Sequence, residues 1–245
     1  MKTVLITGAN KSIGFETAKQ LAQQGYFVYL GSRTLDKGEE AANQLKAEGL
    51  TNIEAIQIDV TDKASIEAAK NTLSQKLTLL DVLINNAGIS GGMPQSTEGT
   101  STETIREVFD TNFFGPIDVT HAFLDLLKKS DAPRIVNVTS GLGSLTLHND
   151  PNWIYYKVKS AAYGPSKTAL NAYTTVLAYE LKDTPFKINA VDPGYTKTDF
   201  NHHSGPGEIP VAAGYIVKYA TLDENGPTGQ FISYDNNPET GISPW

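Results

Sequence analysis

The chain has 245 residues, with 20 Lys and Arg against 27 Asp and Glu, a formal net charge of −7 at pH 7 and no cysteine. This acidic balance argues against a nucleic-acid partner, because proteins that bind nucleic acids usually neutralise phosphates with clustered Lys and Arg. The lack of cysteine excludes disulfides and thiolate chemistry. The length is compatible with one compact α/β unit, so we expect residues 1–245 to form a single domain.

The first residues, MKTVLITGAN, place a short apolar run behind a single lysine. The run is too short for a signal peptide and is typical of a buried strand. No later stretch reaches the roughly 18 uninterrupted apolar residues that a membrane span needs. We therefore expect a cytoplasmic protein with no membrane partner.

Short apolar runs recur along the chain and predict buried strands, and the segments between them have the periodicity of helices with one buried face. The predicted strands are Thr3–Thr7, Tyr26–Leu30, Ile53–Ile58, Leu80–Ile84, Arg134–Val138, Lys187–Val191 and Gln230–Ser233, and the predicted helices include Ile13–Gln24, Asp36–Glu48 and Lys63–Lys76. This alternation predicts a doubly wound α/β fold, with a mostly parallel seven-stranded sheet and helices on both faces. Ligands of such folds bind at the carboxyl ends of the strands.

The segment NHHSGPGEIP, residues 201–210, interrupts the pattern with Gly, Pro and polar residues. It predicts a surface loop, which is either a lid over a substrate or a plain connector. Its adjacent histidines, His202 and His203, have no third ligand at a suitable spacing, so we expect no metal site.

A glycine-containing turn follows the first predicted strand, in the sequence Thr7-Gly-Ala-Asn-Lys-Ser-Ile-Gly14. Gly8 permits a tight turn and Gly14 permits close packing of the next helix, whose amino terminus offers free N–H groups to a phosphate. Such a glycine pair is weak evidence by itself, because ordinary strand-to-helix turns also contain glycines.

The second predicted strand is followed by Gly31, Ser32 and Arg33, where an NAD site usually has an acidic residue for the ribose hydroxyls. Here the acid is missing. Arg33 and Lys11 together suit a ribose 2′-phosphate, because both cations form charge-assisted hydrogen bonds with phosphate. The pair favours NADP(H) over NAD(H), although either residue alone would be read as an ordinary surface charge.

Tyr163 and Lys167 are four positions apart in a segment of helical character, so their side chains share one helix face. A cation beside a phenol stabilises the phenolate, and we expect it to bring the pKa of Tyr163 closer to the range useful for acid–base catalysis.

Several motifs in the same order resemble the classical short-chain dehydrogenase/reductase family, and most closely its NADPH-dependent carbonyl reductase branch. They are TGANKSIG from Thr7, NNAG at Asn85–Gly88, TNFFG at Thr111–Gly115, VNVTS ending at Ser140, YGPSK at Tyr163–Lys167, and DPGYTKTDF from Asp192. The resemblance covers nearly the whole chain and implies a Rossmann fold. One departure is Ser12, which stands where the family usually has glycine or alanine.

By this resemblance, NADP(H) would contact the glycine turn, the ends of the second to fourth strands, the catalytic helix and the segment after the sixth strand. The implied cofactor-binding residues are Gly8, Asn10, Lys11, Ser12, Ile13, Gly14, Arg33, Asp59, Val60, Asn86, Ala87, Gly88, Tyr163, Lys167, Pro193, Gly194, Thr196 and Thr198. Asp59 has a competing interpretation as the cap of a helix that begins near Asp62.

The same resemblance implies a catalytic set of Asn112, Ser140, Tyr163 and Lys167. Tyr163 would donate the proton, Ser140 would hold the substrate oxygen, and Asn112 would anchor a water in a proton relay to Lys167. Thr139 and Ser144 are competing hydroxyls, and only the family pattern favours Ser140.

Together these features predict reversible NADPH-dependent reduction of an aldehyde or ketone to an alcohol, with a small-molecule carbonyl substrate. A cofactor-sensing protein of the same fold with little turnover is the alternative. A nucleotide-sugar epimerase or dehydratase ranks last, because the carboxyl-terminal region is short. Residues 142–156 and 201–214 are expected to be irregular and to decide the substrate, and a monomer is as credible as a homo-oligomer.

Overall fold

A computed structural model describes residues 1–245. Its centre is one seven-stranded sheet in which every neighbouring pair of strands is parallel, in the order β3-β2-β1-β4-β5-β6-β7. The strands are β1 (Thr3–Ile6), β2 (Phe27–Ser32), β3 (Ile53–Gln57), β4 (Val82–Asn85), β5 (Arg134–Val138), β6 (Lys187–Asp192) and β7 (Phe231–Ser233). The predicted doubly wound fold is confirmed, and each predicted strand lies within two residues of an observed one.

Helices cover both faces of the sheet. They are α1 (Ser12–Gln23), α2 (Leu35–Ala47), α3 (Lys63–Lys76), α4 (Thr102–Phe109), α5 (Gly115–Leu127), α6 (Leu145–His148), α7 (Tyr163–Glu180) and α8 (Ile209–Ala220). A π-helical turn, Asp110–Phe114, joins α4 to α5, and 3-10 turns occupy Gly141–Gly143 and Asp199–Asn201.

The strands separate two hydrophobic cores because successive side chains of a strand point to opposite faces. Val4 and Ile6 belong to the core beneath α1, α2 and α8, whereas Leu5 belongs to the core beneath α3, α5 and α7. Near-continuous apolar strands of this kind are expected when both faces of a parallel sheet are covered.

Two segments expected to be irregular contain helices. Residues 201–214 were expected to form a loop, but α8 begins at Ile209 and includes Pro210 in its first turn. A proline there costs little, because the first N–H groups of a helix have no partner within it. Similarly, the short helix α6 lies within residues 142–156, and Ser144 caps it by accepting a hydrogen bond from the Leu147 N–H.

None of the helices combines the length and apolar character needed to cross a bilayer.

The side chain of Phe123, on α5, is fully buried in the core beneath α3, α5 and α7. We expect Phe123→Ala to lower the free energy of unfolding by about 3–5 kcal/mol, through lost burial and the cavity it leaves. Urea denaturation measures this loss. Phe114→Ala, at a side chain that is 50% exposed, is the control and should cost about 1 kcal/mol or less. Equal losses in the two variants would contradict this description of the core.

Candidate active site

The carboxyl ends of the strands carry the predicted site residues, and β1 and β4 are neighbours there. The turn between β1 and α1 and the first turn of α1 leave no space for side chains at Gly8 and Gly14. A Cβ on Gly8, whose φ is +63°, would lie 2.8 Å from Cα of Ala87, and a Cβ on Gly14 would lie 2.5 Å from Nδ2 of Asn86. The predicted reason for both glycines, a tight turn and close helix packing, is therefore visible in the geometry.

Ser12 has a φ of +51°, in the left-handed region that favours glycine. A non-glycine residue there costs roughly 1–2 kcal/mol. The departure from the family pattern thus falls at a strained backbone position, next to Lys11, which precedes the first turn of α1.

The loop after β4 is braced against the glycine turn by Asn86, whose Nδ2 donates to the carbonyl oxygens of Thr7 at 2.9 Å and Gly8 at 3.0 Å. The hydroxyl of Thr7 in turn accepts from the N–H groups of Asn86 at 3.0 Å and Ala87 at 3.1 Å. Sequence reasoning quoted Thr7 in the motif but gave it no role. Its position directly before Gly8 was the available signal.

A cavity of about 300 Å³ lies beside the glycine turn and is lined by Asn10, Lys11, Lys37, Glu40, Ala41 and Gln44. Arg33 is exposed near the end of β2 and is not among the lining residues. Lys37, four residues after Arg33 in the first turns of α2, was not predicted. Lys11 forms an ion pair with Asp199 at 3.2 Å, whereas neither Arg33 nor Lys37 has a carboxylate within 4.0 Å.

Asp59 does not cap α3. Asp62 does so, by accepting from the Ala64 N–H at 2.9 Å, while Asp59 accepts from the N–H and hydroxyl of Thr61. Val60, which follows Asp59, is buried against Gly115. The capping interpretation of Asp59 is therefore wrong for the helix, although its carboxylate does close the preceding turn.

Tyr163 and Lys167 occupy the first turns of α7, as the spacing predicted. The Lys167 ammonium is buried and donates to the carbonyl oxygen of Val138, the last residue of β5, at 2.8 Å. Its Nζ lies 5.8 Å from the centre of the Tyr163 ring. Ser140 is close enough to lower the pKa of Tyr163 through a hydrogen bond. These three side chains therefore meet at the end of β5.

Burial is the largest cause of the pKa shifts of Tyr163 and Lys167. It raises the pKa of Tyr163 well above that of an ordinary tyrosine, and the carboxylate of Asp192 raises it further. Burial also lowers the pKa of Lys167 to about 8. The expected lowering of the Tyr163 pKa by Lys167 is therefore wrong for this structure: the pKa is raised, and only the Ser140 hydroxyl acts in the opposite direction. The phenol keeps its proton at neutral pH.

Asn112 lies in the π-helical turn and is fully buried. Its Oδ1 accepts from the Ile89 N–H at 2.9 Å, and its Nδ2 donates to the Ile89 carbonyl at 2.9 Å and to the Ser166 hydroxyl at 3.1 Å. The side chain thus joins the loop after β4 to α7. A Cβ on Gly88 would lie 3.3 Å from Oδ1 of Asn112 and 3.7 Å from Nζ of Lys167, so Gly88 borders the same group.

The segment after β6 begins with Pro193 and Gly194, and Gly194 has a φ of +80°. The hydroxyl of the buried Thr196 donates to the carbonyl oxygens of both residues at 3.2 Å. Thr198, also buried, forms a capping box with Asn201 around the following 3-10 turn.

The 3-10 turn Asp199–Asn201 reaches back over the catalytic side chains. The ring of Phe200 lies 5.4 Å from that of Tyr163, centre to centre. The carboxylate of Asp199 contacts Lys11 on one side and His203, at 3.1 Å, on the other. The turn therefore contacts both the glycine turn, through Lys11, and α7, through Tyr163.

The aromatic residues of the segment before α7 contact the carboxyl-terminal tail. Nε1 of the buried Trp153 donates to Oδ1 of Asn236 at 2.9 Å, and the half-buried Tyr155 donates from its hydroxyl to Oδ2 of Asp235 at 3.2 Å. The structure places them at one edge of the site with polar partners.

A sequence model described as "short chain dehydrogenase" matches residues 2–208. The (+)-neomenthol dehydrogenase of Capsicum annuum is 34% identical over 93% of this chain and 94% of that protein. The solved structure of salutaridine reductase from Papaver somniferum has a TM-score of 0.82 and 30% identity, covering 94% of this chain and 99% of the other. NADPH-bound carbonyl reductase from chicken fatty liver has a TM-score of 0.84 and 25% identity, covering 100% and 99%.

The family match spans most of the chain, and the fold, the glycine turn and the Tyr163–Lys167 pair agree with it. The chain belongs to the short-chain dehydrogenase family of oxidoreductases.

Proposed function

We propose that this protein reduces an aldehyde or ketone to an alcohol with NADPH, and that Tyr163 donates the proton. The observation that carries the proposal is the meeting of Ser140, Tyr163 and Lys167 at the carboxyl end of β5. A phenol that keeps its proton, beside a second hydroxyl, suits the protonation of an oxygen that becomes an alkoxide. The names of the reductases and dehydrogenases similar to this chain support the same class of reaction.

The cleft fits a dinucleotide. Gly8 keeps a side chain out of the turn before α1, and Gly14 does the same in the first turn of the helix. The amino terminus of α1 presents unpaired N–H groups to a pyrophosphate. The structural similarity to an NADPH-bound carbonyl reductase supports NADP(H) as the cofactor. When bound, the cofactor supplies the hydride.

The chain's own residues divide the remaining work. Arg33 and Lys37 offer cations for the ribose 2′-phosphate, and Lys11 can join them by leaving Asp199. In the proposed complex, Asp59 and Val60 would contact the adenine and Pro193 and Gly194 would border the nicotinamide. Asn86, Ala87 and Gly88 form the wall between them.

At the reacting end, Ser140 donates a hydrogen bond to the substrate oxygen and Tyr163 transfers its proton to that oxygen. Lys167 stabilises the phenolate that remains, because its ammonium lies on the same helix face. Asn112 holds the loop after β4 against α7 and anchors the proposed water beside Lys167.

We expect Tyr163→Phe to lower kcat for carbonyl reduction at least about 100-fold, because the ring remains but the proton donor is lost. Loss of NADPH absorbance, measured with a panel of aldehydes and ketones, tests this. Tyr179→Phe, at an exposed tyrosine of the same helix, is the matched control and should keep wild-type turnover. Tight NADPH binding by the wild type without turnover of any carbonyl compound would favour the cofactor-sensing alternative.

We expect Arg33→Ala and Lys37→Ala each to raise the Kd for NADPH about tenfold and to leave the Kd for NADH unchanged. One charge-assisted hydrogen bond to the 2′-phosphate is lost in each variant. Titration of the fluorescence of the reduced cofactor measures both constants. Lys46→Ala, at an exposed lysine in the last turn of α2, is the control. A wild-type preference for NADH would contradict the assignment of these cations.

A further inference from the structure

Asp192, the last residue of β6, is a buried carboxylate that the proposed reaction does not use; its side chain is only 5% exposed. Its Oδ1 accepts from the Gly194 N–H at 3.0 Å, and its Oδ2 accepts from the Ser233 hydroxyl at 2.7 Å. The backbone of Gly141 lies beside it, since a Cβ on Gly141 would lie 3.2 Å from Oδ2 of Asp192, and it lowers the pKa of the carboxyl. A carboxylate in the protein interior is costly unless donors of this kind satisfy it.

The groups around the Asp192 carboxylate come from the ends of three neighbouring strands: Gly141 after β5, and the donors Gly194 after β6 and Ser233 in β7. Gly141 directly follows Ser140, and Gly194 belongs to the turn that begins at Pro193. Ser233 ends β7 and lies 41 residues from Asp192 in sequence. One carboxylate therefore connects the turn that holds the substrate-binding hydroxyl to the turn at the nicotinamide end of the cleft.

Asp192 also lies near the buried ammonium of Lys167. Lys167 donates to the Val138 carbonyl, and Val138 is the register partner of Val191, the residue before Asp192. Lys167 has no carboxylate within 4.0 Å. Asp192 is the group whose charge raises the pKa of Lys167 against the effect of burial.

We propose that Asp192 is a positioning residue, which fixes Ser140 relative to the Pro193–Gly194 turn and supplies the negative charge that balances Lys167. This inference rests on the proposed reductase function. Asp192 acts through its neighbours, since its oxygens are occupied by backbone and serine donors and are not free to bind a substrate.

The charged and titratable groups that face Asp192 determine its effect on pH dependence. Lys167 and Tyr163 face it from α7, Asp235 from the carboxyl-terminal tail and Tyr155 from the segment before α7. The anionic charge of Asp192 raises the pKa of both Tyr163 and Lys167. Removal of that charge therefore lowers both values, and the Tyr163 phenolate forms at a lower pH.

The first test measures alcohol oxidation with NADP⁺, the reverse reaction, in which Tyr163 must accept a proton and the rate rises with pH. We expect Asp192→Asn to move the midpoint of the kcat profile about one pH unit lower and to reduce kcat about tenfold. Asp192→Glu keeps the charge and should lower kcat without moving the midpoint. An unchanged midpoint in a folded Asp192→Asn variant would overturn the inference.

The chain offers a matched control at the opposite end of the sheet. Asp81 is a buried carboxylate that accepts from the Thr3 N–H at 2.8 Å and from the Ser130 hydroxyl at 2.7 Å. Asp81→Asn should lower stability but leave the pH midpoint in place. An equal shift of the midpoint in both variants would show a general effect of lost stability and would contradict the proposal.

A second variant covers the case in which Asp192→Asn does not fold. Burial raises the pKa of Asp192 to about 6 and the Ser233 hydroxyl lowers it, so Ser233→Ala raises it further. The carboxylate then protonates at a higher pH and loses acceptor capacity. The fall of reductase activity on the acid side should move up by roughly half a pH unit. Ser130→Ala, at the serine that donates to Asp81, should cause no such shift. If the activity of Ser233→Ala falls at the same acid pH as that of the wild type, the proposal is overturned.

Failure of the proposed function gives a different result. If the wild-type protein and the Asp81→Asn control turn over no carbonyl compound or alcohol with either cofactor, the reductase assignment fails before Asp192 is tested. If both are active and the Asp192 and Ser233 variants keep wild-type profiles, the reductase assignment stands and the inference about Asp192 fails.

Discussion

The buried ammonium of Lys167 is the constraint on which the rest of the site depends. An unpaired charge in a protein interior costs several kcal/mol, and this one donates its hydrogen bond to the Val138 carbonyl. The bond fixes α7 at the end of β5, and so fixes the turn that carries Tyr163. Gly143 makes room for this arrangement, because a Cβ there would lie 3.2 Å from Cβ of Lys167. The position of Tyr163 therefore follows from the cost of burying one cation.

The strand order places the nucleotide cleft next to α7, because β4 lies between β1 and β5. Between β1 and β4 the sheet changes its direction of growth, and the loops that follow these two strands leave a crevice. Thr7 and Asn86 close its floor with mutual hydrogen bonds, and Asn112 ties the same loop to α7. The cleft and the catalytic helix thus share one loop, which sets the distance between a bound nucleotide and Tyr163.

Sequence reasoning located the strands because both faces of a parallel sheet are buried, which leaves an uninterrupted apolar signal. The start of α8 was not predicted, because Pro210 is typical of a loop. A first helical turn also tolerates proline, and α8 begins at Ile209. Lys37 was missed because its relation to the glycine turn exists only after α2 has packed. Asp192 was quoted in a motif, but its partner Ser233 is distant in sequence and nothing local indicates their contact.

The acid–base balance of the site depends on burial, which the sequence could not supply. Burial moves the pKa of Lys167 down to about 8 and that of Asp192 up to about 6, so both remain mainly ionised at pH 7. Tyr163 shares this environment, and its raised pKa keeps the phenol neutral well above pH 7. A balanced cation and anion around a neutral phenol leave the proton on the group nearest the substrate oxygen in the proposed reaction. In the proposed reaction, this charge arrangement leaves Tyr163 with a proton to donate at neutral pH.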